Sequence, residues 1–227
     1  MSARHADADP SPPPPAAPGG RGLCVLGGSF DPPHRSHRRL VEAAIARLRP
    51  ARVLIVPCAQ NPLKPSSTLA SAADRLAMCE LAFRGLSGVA VSPLEIERRA
   101  PSYTIDTVRA LRAQLGLDEP LWLLCGSDVL PELDRWHEQH SLLELVTLVV
   151  FPRLGAPLDA RVLDRLAIRR KHKDEILANA LRIEPDAVSA TAIRAALARG
   201  ESPAELMPEV LAYVRSHGLY RASSGVA

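Results

Sequence analysis

Leu23-Cys24-Val25-Leu26-Gly27-Gly28-Ser29-Phe30-Asp31-Pro32-Pro33-His34-Arg35-Ser36-His37 is the stretch on which the reading of this chain turns. Four consecutive apolar residues predict a short strand covered on both faces. The glycines after it let backbone N–H groups approach an anion closely, and the helix expected from Ser36 adds the positive end of its dipole. His34 and His37 stand three apart, so both imidazoles project near one face of the first helical turn. Together these features make a cradle for phosphates. A plain packing turn is the alternative reading of the glycines. A metal pair is the alternative for the histidines, but no third ligand stands at a recognisable spacing.

Outward from that turn, strand-like and helix-like segments alternate. Apolar runs at Val53–Val56, Val89–Val91, Leu121–Cys125 and Leu145–Phe151 repeat the continuous pattern of Leu23–Leu26. Helical spacing covers Ser36–Leu48, Ala72–Phe83, Thr104–Leu115 and Asp159–Ile168, with Ser71 as an N-cap and Gly85 and Gly116 as stops. After the basic run Arg169–Lys173 come a short strand near Ala180–Ile183, a helix entered through Val188–Arg194, and a final helix over Pro208–His217. The pattern predicts an α/β fold: a Rossmann-like, doubly wound, mainly parallel sheet with crossover helices and a small C-terminal helical segment. In such sheets ligands bind beyond the carboxyl ends of the strands, at the switch point, which puts the site at the first glycine turn.

The 227 residues, 47% hydrophobic and 23% charged, suffice for one sizeable core. We expect a single domain over residues 21–222, a disordered Pro-rich tail over 1–20 and a flexible C-terminus over 223–227. A net charge of +3 and a pI near 8.8 suit anionic ligands and fall short of a nucleic-acid-binding surface. Arg35, Arg38 and Arg39 read as a solvated helix face or as a local anion contact. Cys24, Cys58, Cys79 and Cys125 form no CxxC pair and read as reduced, mostly buried thiols, which with the lack of an apolar leader or spanning segment predicts a cytoplasmic protein.

Three further groups carry chemistry. Ser189, Thr191 and Arg194 open a helix, where hydroxyls cap and an arginine fork reaches an anion. Gly126 and Asp128 follow the strand Leu121–Cys125, a position suited to ribose hydroxyls, to water on a magnesium ion, or to simple helix capping, and Trp136 behind them suits a flat ring or the core. Lys64 stands in a proline-stiffened loop at the end of another strand, either solvated or meeting a phosphate. Ser102–Thr107 reads as a helix entry.

The whole resembles the bacterial nicotinate-nucleotide adenylyltransferases of the nucleotidyltransferase superfamily. Gly27–His37 is similar to their GGxFDPxHxxH signature, and Ser189-Ala190-Thr191-Ala192-Ile193-Arg194 to ISSTxIR. Asn61–Lys64 is similar to NPPHK, Ser102–Thr107 to SYTxDT, Gly126-x-Asp128 with Trp136 to GxDxxxxxxxW, and Tyr213–Tyr220 to the C-terminal YVxxHxLY. The departures are Ala190 for a serine, Leu63-Lys64 for proline and histidine before the lysine, and Ser29 for threonine. The resemblance implies transfer of AMP from ATP to nicotinate mononucleotide, with magnesium carried by the ATP phosphates and no metal held by the protein. It implies His34, His37 and Arg194 as catalytic; Gly27, Gly28, Ser29, Phe30, Gly126, Asp128, Ser189, Thr191 and Ile193 around ATP; and Lys64, Thr104, Trp136 and His137 around the mononucleotide. ATP and nicotinate mononucleotide are the expected partners, with no nucleic acid and no membrane, and a homo-oligomer is left open. A nicotinamide or other phosphorylated acceptor and a non-catalytic nucleotide-binding regulator are the alternatives.

Overall fold

The computed structural model describes residues 19–60, 69–98, 101–185 and 187–221. Most of the expected tail, the loop containing Lys64 and the last six residues lie outside them. In chain order the elements are β1 (Arg21–Gly28), α1 (Arg35–Leu48), β2 (Pro50–Pro57), α2 (Ala72–Phe83), β3 (Val89–Val91), α3 (Leu94–Glu97), α4 (Thr104–Leu115) and β4 (Leu121–Gly126). A 3-10 segment, Ser127–Arg135, leads to α5 (Gln139–Leu145), β5 (Thr147–Phe151), α6 (Ala160–Asp164), α7 (Arg170–Asn179), α8 (Ala190–Ala198) and α9 (Pro208–Ser216).

The five strands pair in parallel in the order β3-β2-β1-β4-β5. The expected Rossmann-like sheet is therefore present, and its switch point lies between β1 and β4. Alternation along β1 divides the core. Cys24 and Leu26 face a layer built from Leu40 and Val41 of α1, Met78 of α2, Ile193 of α8 and Val210 of α9. Leu23 and Val25 face the opposite layer, with Val108 of α4, Leu142 of α5, Leu163 of α6 and Ile176 of α7. Both faces are covered, which is why the strands carry unbroken apolar runs. All four cysteines are free and buried, and burial pushes the Cys24 thiol up to about 12. No helix among the described residues is long and apolar enough to cross a membrane.

Several boundaries differ from the sequence reading. Leu145 closes α5 instead of opening β5. The helix expected over Asp159–Ile168 stops at Asp164, although Asp159 does cap it by accepting the Val162 N–H at 2.9 Å. Past its end the Ala167 N–H turns to the Asp134 carboxylate, which diverts the backbone from helical bonding. No strand forms near Ala180–Ile183: a single bond from the Leu181 N–H to the Val150 carbonyl fastens that segment beside β5. Ser71 caps α2 as expected, accepting the Asp74 N–H.

Candidate active site

The carboxyl end of β1 runs into a turn that is open above and braced below. A Cβ added at Gly27 would meet only the Val56 carbonyl oxygen, at 4.0 Å, so packing does not demand glycine there. Free space over a bare backbone is what a bound anion requires. Beneath the turn, Arg75 of α2 is 1% exposed and donates to the Ser29 carbonyl (2.8 Å) and the Ala59 carbonyl (3.4 Å), joining the ends of β1 and β2. The Cys58 N–H donates to the Gly28 carbonyl (2.9 Å) and its thiol reaches Ser29 Oγ (3.7 Å).

His34 is the N-cap of α1, and its backbone N–H donates to His37 Nδ1 at 3.2 Å. That bond fixes the tautomer: in the neutral ring of His37 the proton sits on Nε2, which is left as a donor. Desolvation, reinforced by His34 and Arg153, holds His37 well below the ordinary histidine range. The two imidazoles stack at 3.8 Å between centroids, and Phe30 packs edge-on against His37 at 5.0 Å, backed by Phe83. Phe30 reaches this place in a left-handed backbone conformation, φ 48°.

The first turn of α8 closes over the same place. Ser189 caps it, accepting the Ala192 N–H at 3.1 Å. Thr191 is exposed, and its hydroxyl oxygen accepts from Arg194 Nη2 at 3.3 Å. Arg194 Nη1 donates to the Asp31 carbonyl at 2.7 Å, a contact across 163 residues that sets the start of α8 against the glycine turn. Ile193 points the other way, into the core at 3% exposure, so only its backbone belongs to this face.

At the neighbouring strand end a Cβ on Gly126 would collide with Asp128 Oδ1 and fall 3.0 Å from Arg153 Cγ. Asp128 is half-exposed, caps no helix, and lies 3.9 Å from Arg153 Nε. Ser127 holds this corner, donating to the Ala156 carbonyl and accepting the Arg153 N–H. A cleft runs between the start of α1 and the ends of β4 and β5, walled by Ser36, His37, Asp128, Phe151, Arg153 and Ile183. Ser36 Oγ is buried in that wall without a hydrogen-bond partner, a polar atom a ligand could satisfy.

Three of the remaining predicted residues, Thr104, Trp136 and His137, gather on the face of the sheet covered by α4 and α5. His137 packs its ring on Tyr103 at 4.4 Å between centroids, next to Thr104 at the start of α4. Trp136 is partly buried against the core layer of α4 and α5. Ser102 Oγ accepts the Ala59 N–H at 3.1 Å, which ties this group to the loop after β2. The buried Glu95 of α3 accepts from Thr107 at 2.6 Å beneath it, and burial pushes its carboxyl up. Lys64 lies outside the described residues. Asp31, Arg75, Glu95 and Arg153 were not among the expected site residues: Asp31 stands in the quoted signature without a role, the other three are single charged residues with no spacing signal, and only the folded neighbours show what they hold.

Residues 25–196 match the cytidylyltransferase-like family. A protein of Gemmatimonas aurantiaca carrying the name "Probable nicotinate-nucleotide adenylyltransferase" is 40% identical over 200 residues, covering 88% of this chain and 92% of its own length. One of the same name from Bordetella petrii is 44% identical over 87% of this chain and 97% of its own length. This chain belongs to the nicotinate-nucleotide adenylyltransferase family. Among solved structures, a Plasmodium falciparum nicotinic acid mononucleotide adenylyltransferase complexed with NaAD superposes with a TM-score of 0.68 at 18% identity, covering 88% of this chain and 97% of that one. At that identity it supports the fold of this adenylyltransferase-family chain. In this chain the glycine turn and the histidine pair follow β1 at the switch point, and Arg194 ties the α8 entry to them.

Proposed function

We propose that this chain transfers AMP from ATP to the 5′-phosphate of nicotinate mononucleotide, giving nicotinate adenine dinucleotide and pyrophosphate. The observation that supports this reading is the Arg194–Asp31 contact, which ties the first turn of α8 to the turn that follows Gly27–Gly28 and precedes His34. Two helix starts, a bare backbone and a guanidinium then converge on one polyphosphate. An oxygen of the acceptor phosphate forms a bond to the α-phosphorus while the α–β bridging bond breaks, and pyrophosphate leaves with the electron pair. The acceptor is ionised at neutral pH, so the reaction calls for in-line positioning and charge neutralisation, not for a strong base. The Nε2–H of His37 and the fork of Arg194 would donate to the transferred and leaving phosphates, with His34 alongside. Gly126 and Asp128 would face the ribose. Thr104, Trp136 and His137, with Lys64, would take the mononucleotide.

Among the described residues no three His, Cys, Asp or Glu side chains gather as a metal cage. Magnesium is proposed to enter bound to the ATP phosphates, where it neutralises charge. Reduced thiols are in keeping with work in the cytoplasm. The test is pyrophosphate release from ATP and magnesium with nicotinate and nicotinamide mononucleotides offered in parallel. Strong preference for the acid is expected. Equal use would overturn the acceptor assignment, and no release with either would overturn the reaction.

A further inference from the structure

Asp31 is 2% exposed, yet neutral donors surround its carboxylate. Oδ2 accepts the Leu69 N–H at 2.8 Å; Oδ1 accepts the Ala70 N–H at 3.1 Å and the Tyr220 hydroxyl at 2.6 Å. Arg194 Nη1 lies 3.8 Å from Oδ2 and makes its hydrogen bond to the backbone carbonyl of the same residue instead. A buried carboxylate so close to a guanidinium takes it as partner unless other donors already occupy the oxygens. Here they do, and the strongest by length is the phenol. Burial and Asp31 itself push Tyr220 far above the ordinary tyrosine range, so it stays a donor. Phe30, next to Asp31, and Tyr220 both hold left-handed backbone, φ 48° and 59°. Residues other than glycine keep that conformation where their surroundings enforce it.

We infer that Tyr220 is a positioning residue of the phosphate site: by satisfying Asp31 it keeps the Arg194 guanidinium from closing a hydrogen bond onto the carboxylate and leaves it available to the ATP phosphates. This rests on the assignment of Arg194 to those phosphates. Without the phenol, the Ala70 N–H is the one donor left to Oδ1 among the described residues, and the carboxylate rotates to take Arg194, 3.8 Å from Oδ2, as its replacement donor.

The test is calorimetric binding of magnesium–ATP, with no acceptor present, to the wild type, Tyr220→Phe, Arg194→Ala and the double variant. Phenylalanine keeps the ring in its core seat, and thermal unfolding of each variant confirms the fold. Tyr220→Phe is expected to weaken ATP about fivefold, within the coupling range of one hydrogen-bond network, and to add nothing once Arg194 is alanine. Adding Asp31→Asn to Tyr220→Phe removes the competing anion and should restore affinity to within about twofold of wild type. Unchanged affinity in Tyr220→Phe, an equal loss in the Arg194→Ala background, or no recovery in a folded Tyr220→Phe/Asp31→Asn protein would each overturn the inference. A wrong acceptor assignment leaves these results intact, whereas a wild type that binds no ATP overturns the site itself.

Discussion

His37 shows how a local bond decides chemistry. Because Nδ1 accepts from the His34 backbone and burial disfavours the charged ring, His37 carries a neutral Nε2–H donor, the group proposed to meet a phosphate. A donor aimed at developing charge contributes about 10²–10³ in rate. His37→Ala is therefore expected to lower kcat at least about a hundredfold while thermal unfolding stays close to wild type. The depressed pKa also sets a sign for stability. Below the ordinary histidine pKa the unfolded chain takes up a proton that the folded ring refuses, so stability falls as pH drops through that value toward the folded pKa. Unfolding midpoints taken from about pH 7.5 down to about 5.5, on either side of the ordinary histidine value of 6.5, should decline more steeply in wild type than in His37→Asn. Parallel curves would remove His37 from the acid limb.

At the scale of elements, the glycine turn after β4 works by exclusion. The space that a Cβ would fill on Gly126 belongs to the side chains of Asp128 and Arg153, which must give way to it. Gly126→Ala should therefore displace Asp128 from its place and raise the KM for ATP about tenfold, the loss of one hydrogen bond to a charged group, with little change in Tm. An unchanged KM would take Asp128 off the ribose. The strands and the helices α1, α2, α4 and α9 were legible in sequence because their apolar spacing is strong. The helix α7 was not: its basic start, Arg170–Lys173, hides a face that buries only His172 and Ile176. The segment at Ala180–Ile183 has strand-like residues, but only the Leu181 N–H reaches β5. Of the site, the glycine turn, the histidine pair and the α8 entry were legible because each is local. The bond between Asp31 and Tyr220 was not: each stands in a quoted motif, but the two lie 189 residues apart and neither side chain announces the other.

In the whole molecule, one sheet serves both core layers, and the site is assembled from elements of both. Unfolding is accordingly expected as one transition by fluorescence and far-UV dichroism alike. Magnesium–ATP at about a hundred times its dissociation constant should add about 2.7 kcal/mol, which for a chain of this size is about 5–11 °C in Tm. Two separated transitions, or a shift confined to one probe, would contradict a shared sheet. The hub at Asp31 also bears on the order of assembly. Its partners lie 163 and 189 residues along the chain, and contacts of such long separation close late, because loop entropy must be lost before they form. On the proposed site, a chain with its sheet formed but α8 and Tyr220 still undocked would be blind to nucleotide, so the capacity to hold ATP would mark the completed fold and none of its forerunners.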